Sequence, residues 1–160
     1  AYFTMNTNDL NYGGWEASRM RKTVLGNSST PDNPLQGSLM AVLPEDLLAV
    51  MKQVTKWTQN SGATVTATTD YTFLMAEFEI FGKRTYANND EQSKQAQYDY
   101  FKAGNPKVFY KHSATTTAVT AWLRSPYAGK DNSFCHVSTS GVTGANYSSH
   151  SLGVAPGFCA

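Results

Sequence analysis

The spacing of apolar residues changes once along this chain, and that change limits the folds open to it. Before residue 52, Trp15 to Leu25 carries Ala17, Met20 and Val24 at helical intervals. A second helical stretch runs in two pieces, Leu35 to Leu43 and then Leu47, Leu48, Val50 and Met51 as a buried stripe behind Pro44-Glu45-Asp46. Proline fits a first helical turn, and the two acids suit its positive end. From residue 52 the period is two. Val54 to Thr58 and Ala63 to Thr69 flank the turn Asn60-Ser61-Gly62, and Tyr71 to Met75 is a short apolar strand. Ala76 to Phe81 reads as a helical turn stopped by Gly82, and Glu91 to Lys102 as a polar helix ended by Gly104-Asn105-Pro106. Short strands follow at Val108 to Tyr110, Ala121 to Arg124, Phe134 to Thr139, Val142 to Ala145 and Gly153 to Cys159. Helices first and a meander last describe an α+β fold rather than a parallel sheet, and 160 residues make one domain spanning 1–160.

Charge then narrows the function. Only 16% of residues are charged and the net charge is +1, so a nucleic-acid binder that works by neutralising phosphates is excluded. No apolar run is long enough to insert in a membrane. Twenty aromatic residues argue against disorder. The polar surface must be built from Asn, Gln, Ser, Thr and Tyr, a mixture suited to extracellular or virion proteins and to adaptable recognition faces. No signal peptide is visible after Ala1. The three histidines, His112, His136 and His150, lie far apart, and Cys135 and His136 point to opposite faces of a strand, so no zinc spacing and no cofactor is expected. Cys135 and Cys159 form one bridge or remain two thiols, meeting in either case across neighbouring strands near the core.

Trp122-Leu123-Arg124-Ser125-Pro126 puts Trp122, Arg124 and Pro126 on one side of a strand and Leu123 and Ser125 on the other. An arginine between apolar neighbours needs acceptors, and Glu77 or Glu79 is the candidate partner. Trp122, Arg124, Glu77, Cys135 and Cys159 are therefore read as structural. No exposed serine elbow, phosphate-cradling glycine loop or Walker lysine is present. The segments Tyr127 to Ser133 and Gly144 to Ser151 combine Tyr, Asn, Asp, Ser, His and Gly, as recognition loops do. Their candidate contact residues are Tyr127, Lys130, Asp131, Asn132, His136, Asn146, Tyr147 and His150.

An ordered set of motifs supports a resemblance. Met5-Asn6-x-x-Asp9-x-Asn11-x-Gly13-Gly14-Trp15, Leu43-Pro44-Glu45-Asp46-Leu47, Phe73-Leu74-Met75-x-Glu77-x-Glu79-x-Phe81-Gly82, Trp122-Leu123-Arg124-Ser125-Pro126 and Gly153-Val154-x-Pro156-x-Phe158 occur in that order. The chain resembles a C-type-lectin-like domain family of gut Firmicutes and their phages, related in fold to formylglycine-generating enzymes and to retroelement-diversified phage receptor-binding proteins. The resemblance implies early helices packed on a small twisted antiparallel sheet, with a loop-rich C-terminal half. It implies a noncatalytic module on a virion or cell surface that recognises a host-surface glycan or protein. An assembly domain of a larger virion protein is the alternative, and either reading leaves room for a homo-oligomer. No strand is expected ahead of Met5, in keeping with a domain excised from a longer parent chain. An oxidase of the formylglycine-generating type needs a close cysteine pair, whereas these cysteines lie 24 positions apart. The lectin calcium signatures are missing, leaving Asp131-Asn132 as a remnant.

Overall fold

A short strand, β1 (Tyr2–Phe3), precedes Met5, where none was expected. In the computed structural model, which describes residues 1–160, Ser18 then cuts the first expected helix in two. Its backbone is extended (φ −60°, ψ 142°); its hydroxyl donates to the Trp15 carbonyl at 2.8 Å and accepts the Arg21 N–H at 3.1 Å. Serine thereby ends α1 (Gly14–Ala17) and starts a separate π-turn at Met20–Val24. Gly14, with φ at +55°, brings α1 so close to the next layer that a Cβ there would lie 1.9 Å from the Gln59 carbonyl oxygen. Of Leu35 to Leu43 only Met40–Val42 coils, as a 3₁₀ turn, and α2 (Glu45–Leu48) is a single turn. A helix this short presents no stripe: Met51 is buried, but Val50 is 52% exposed.

The hairpin of β2 (Val54–Ser61) and β3 (Thr64–Asp70) forms around Gly62 as its turn residues require. β4 (Thr72–Phe73) leads into α3 (Glu77–Phe81), which Gly82 closes at φ 65°. The expected polar helix does not form in one piece. A 3₁₀ turn at Asn89–Ser93 and α4 (Asp99–Lys102) flank an irregular stretch at Gln95 and Gln97. Gln95 Nε2 donates to the Trp57 carbonyl at 2.8 Å, and Gln97 Nε2 to the Ile80 carbonyl at 2.9 Å. Those long-range bonds tie the stretch to neighbouring elements in place of helical pairing.

A second hairpin, β5 (Phe109–Lys111) with β6 (Ala114–Val119), is followed by β7 (Ala121–Pro126), β8 (Ser133–Val137) and β9 (Thr143–Tyr147). The expected last strand splits into β10 (Leu152–Gly153) and β11 (Gly157–Phe158) in different sheets. The main sheet runs β1-β10-β7-β8-β9 and is mixed rather than purely antiparallel, since β10 lies parallel to β7. β11 pairs with β4. The result is a mixed α/β domain with few short helices, several small sheets and mostly strand.

One common interior was expected; there are two, with β7 and β8 as the wall between them. Trp122 and Phe134 face a cluster containing Met5, Trp15, Met20 and Leu74, while Leu123, Cys135 and Val137 face one containing Ile80 and Phe101. All six residues of β7 are buried. Phe158, expected inside, is 46% exposed because β11 lies at the margin. The cysteines do not meet: Cys135 is buried in the second cluster, Cys159 is exposed beyond β11, and both are free.

Arg124 holds this arrangement together. Its Nη1 and Nη2 form a two-pronged pair with Glu79 at 2.6 and 2.8 Å, and the same nitrogens reach the Leu74 and Trp57 carbonyls at 2.8 and 3.3 Å. Nε donates to Thr58 Oγ1 at 2.9 Å, so every guanidinium N–H is used. Burial disfavours both charges, but each holds the other ionised: the Glu79 carboxyl lies below its ordinary range and Arg124 above its own. Glu77, the other candidate, carries no cation. It accepts from the backbone amides of Thr85 and Ala87 at 2.9 and 2.8 Å.

Candidate functional site

The loop between β7 and β8 and the segment after β9 meet at one end of the sheet, where Ser148 bonds the Asn132 carbonyl. Beside them lies an open groove of about 280 Å³ lined by Tyr127 and Lys130 of the loop, Ser133 of β8, and Ala145, Asn146 and Tyr147 of β9. Four of the eight candidate contact residues are thus brought together: Tyr127, Lys130, Asn146 and Tyr147. Tyr127 packs edge-on against Tyr86, with ring centroids 5.2 Å apart, and Tyr147 is 47% exposed with His150 edge-on at 5.4 Å. Half-exposed tyrosine faces beside amide and ammonium groups present apolar area and hydrogen-bonding groups at little conformational cost.

The other candidates are placed differently. His150 touches the groove only through Tyr147. Asp131 points away, its Oδ2 accepting the Tyr12 hydroxyl at 3.1 Å, and this bond raises the Tyr12 pKa. Asn132 Oδ1 accepts the Ser133 hydroxyl at 2.8 Å. His136 does not line the groove. It pairs across the ladder with Trp122 and Gly144, on the face of the sheet that also carries Asn146. Its ring fills the space over Gly144, where a Cβ would lie 2.5 Å from its Cε1. Burial lowers its pKa, and its Nδ1 is buried without a partner.

What holds the loop in place comes from the other end of the chain. Asn11 Nδ2 donates to the Lys130 and Ser133 carbonyls at 2.7 and 2.8 Å, and its backbone N–H to the Asp131 carbonyl at 2.8 Å. Ser148 gives both its N–H and its hydroxyl to the Asn132 carbonyl at 2.9 Å. Asp9 Oδ1 accepts from the Ser149 hydroxyl and amide at 2.5 and 3.1 Å, which keeps its carboxyl below the ordinary range. The Asp9 and Asn11 pattern was visible in the sequence, but its side-chain partners lie more than a hundred residues away, so its clamping role was not.

Glu77 supports the groove from beneath. It binds the amides of Thr85 to Ala87, which carry Tyr86 against Tyr127, and accepts the Thr143 hydroxyl at 2.5 Å where β9 begins. The Cys135 thiol lies buried on the same side of β8, and burial with nearby Glu77 and Glu91 pushes its pKa well up, so it stays a thiol. No group of three or more His, Cys, Asp or Glu side chains that could hold a metal ion occurs in the chain.

The model of a family described as a domain of unknown function, DUF6273, matches residues 5–160. The chain belongs to that family. The matched region takes in both Asn11 and the 127–133 loop it grips, so the clamp lies wholly within the DUF6273 domain. No curated protein and no solved structure matches the chain.

Proposed function

We propose that this is a noncatalytic recognition domain of C-type-lectin-like architecture, carried by a larger protein on a phage virion or bacterial cell surface, that binds a host-surface glycan. The observation that carries the reading is the groove itself. The β7–β8 loop and the end of β9 converge on one concavity, with Tyr127 and Tyr147 for sugar faces and Lys130 and Asn146 for hydroxyls. The antiparallel meander β7-β8-β9, with the β7–β8 loop and the segment after β9 at the same end, and β1 and β10 lying side by side, support the lectin-like architecture.

The test is a glycan array with a cell-binding assay, comparing the wild type with Tyr127→Ala/Asn146→Ala/Tyr147→Ala. The variant should keep its circular dichroism spectrum and lose binding. Retained glycan binding refutes the site, and binding only to a proteinaceous surface refutes the ligand class.

A second reading, an assembly domain within the parent protein, is favoured by a separate observation. Beside β1 lies a largely apolar groove of about 370 Å³ that includes Phe3, Leu39, Val42 and Pro156, with Val42 76% exposed. A longer parent chain in which that groove is covered by a neighbouring region, with no host-cell binding, would favour this reading over the first.

A further inference from the structure

Arginine use differs sharply across the molecule. Arg124 spends all of its donors on protein acceptors. Arg21 pairs with Asp70 at 2.6 Å and also reaches the Glu16 and Thr69 carbonyls, and Arg84 binds Asn89. Arg19 is half-buried, yet its guanidinium meets only Thr4 Oγ1, at 3.3 Å through Nη1. It takes part in no ion pair, and neither does the exposed Lys22 one helical turn on.

Both cations line one groove of about 360 Å³, together with Asn6, Asn8 and Tyr12, and no lining residue is acidic. Of the carboxylates in the neighbouring loops, Asp9 accepts from Ser149 and Asp131 from the outer hydroxyl of Tyr12, and neither pairs with Arg19 or Lys22. In a chain of net charge +1 this is a local positive site rather than part of a basic surface. An open guanidinium fork beside an ammonium fits an oxyanion through charge-assisted, two-pronged hydrogen bonds. Tyr12 forms one wall, and its hydroxyl reaches Asp131 in the loop that borders the Tyr127 groove. The Tyr12–Asp131 bond therefore joins the wall of one concavity to the loop that borders the other.

We propose that the Arg19–Lys22 groove binds the oxyanion of an acidic glycan whose uncharged residues cross Tyr12 into the Tyr127–Tyr147 groove. The proposal rests on the glycan reading above and names the ligand's charge. Phosphate, sulfate and carboxylate share the required chemistry.

The test measures binding of a glycerol-phosphate oligomer, a heparin-derived oligosaccharide, an oligogalacturonate and a neutral oligosaccharide to three proteins. These are the wild type, Arg19→Gln/Lys22→Gln and the Tyr127/Asn146/Tyr147 triple alanine variant. At least one acidic oligomer should bind the wild type more tightly than the neutral one and weaken as salt rises. The most tightly bound oligomer identifies the oxyanion. Arg19→Gln/Lys22→Gln should weaken that binding about tenfold or more while leaving the neutral oligosaccharide unaffected. Lys22→Glu, at an exposed position that leaves the Thr4 contact intact, should act in the same direction.

Unchanged acidic binding in both cation variants overturns this site, even if the triple variant shows that the Tyr127 groove is real. Loss of acidic binding in the cation variants alone, with the triple variant unaffected, keeps the anion site and removes the shared-ligand claim. Binding of no acidic oligomer, or equal binding of a single-stranded DNA of matching charge, overturns the acidic-glycan assignment.

Discussion

Replacing Glu79 with glutamine keeps its shape and removes one charge, which isolates what the buried ion pair contributes. In the wild type, Arg124 lies fully buried with Glu79 accepting at 2.6 and 2.8 Å, and Lys56 stands 3.7 Å from the same carboxylate. In Glu79→Gln, both cations lose the carboxylate they pair with, and the new amide turns an N–H toward a guanidinium. Breaking a buried pair from one side costs about 3–5 kcal/mol. At this chain length each kcal/mol lowers Tm by about 2–4 °C, so the expected loss is about 6–20 °C. Replacing both partners, as Glu79→Gln/Arg124→Met, removes the stranded charge, and the double variant should be more stable than the single one.

Urea titration followed by tryptophan fluorescence measures both variants, with an unchanged m-value confirming two-state unfolding. The pair also sets a direction with pH. The Glu79 carboxyl is held below its ordinary range, so its stabilisation is full above that range and is lost as pH falls through the lowered value. Glu79→Gln should lack that acid-side loss. A single variant within about 0.5 kcal/mol of wild type, a range typical of uninvolved surface sites, would falsify the claim that this pair ties β7 to α3.

Three further outcomes are expected. Burial pushes the Glu91 carboxyl upward, so its linkage favours folding most below the ordinary carboxylate range and fades as pH rises through the raised value; the deficit of Glu91→Gln relative to wild type should narrow from acid to alkaline pH in urea titrations, and a widening deficit contradicts the assignment. Thiol titration of the folded protein should modify Cys159 at once and Cys135 only after unfolding, whereas two fast thiols, or none, would contradict the placement of these residues. Asn11→Ala removes two hydrogen bonds to the 127–133 loop and should cost about 1–3 kcal/mol while weakening glycan binding by more than its melting shift accounts for, measured by calorimetry beside a thermal melt.

The parts of the fold that could be read from the chain are those decided by neighbours in sequence. The β2–β3 hairpin follows from alternation around Gly62, and α3 from a short apolar turn with Gly82 behind it. Arg124's need for a carboxylate was likewise clear, although the choice of Glu79 over Glu77 required three dimensions. Elements decided by distant partners were not legible. Gln95 and Gln97 have helical composition but lie outside any helix, bonded to carbonyls of β2 and α3. Ser18 reads as an ordinary helical position until its hydroxyl is seen capping both sides. The site divides in the same way: the loop composition marked Tyr127, Lys130, Asn146 and Tyr147, which the fold brings together, but His136 sits over Gly144, outside the groove.

The grip on the 127–133 loop falls almost entirely on its main chain. Four consecutive carbonyls, Lys130 to Ser133, are occupied by donors from Asn11, Tyr127 and Ser148. A peptide carbonyl is the same whatever residue bears it, so the loop's path does not depend on the outward side chain at 130. That position can be rewritten with little effect on folding, and one framework can carry a succession of different surface chemistries.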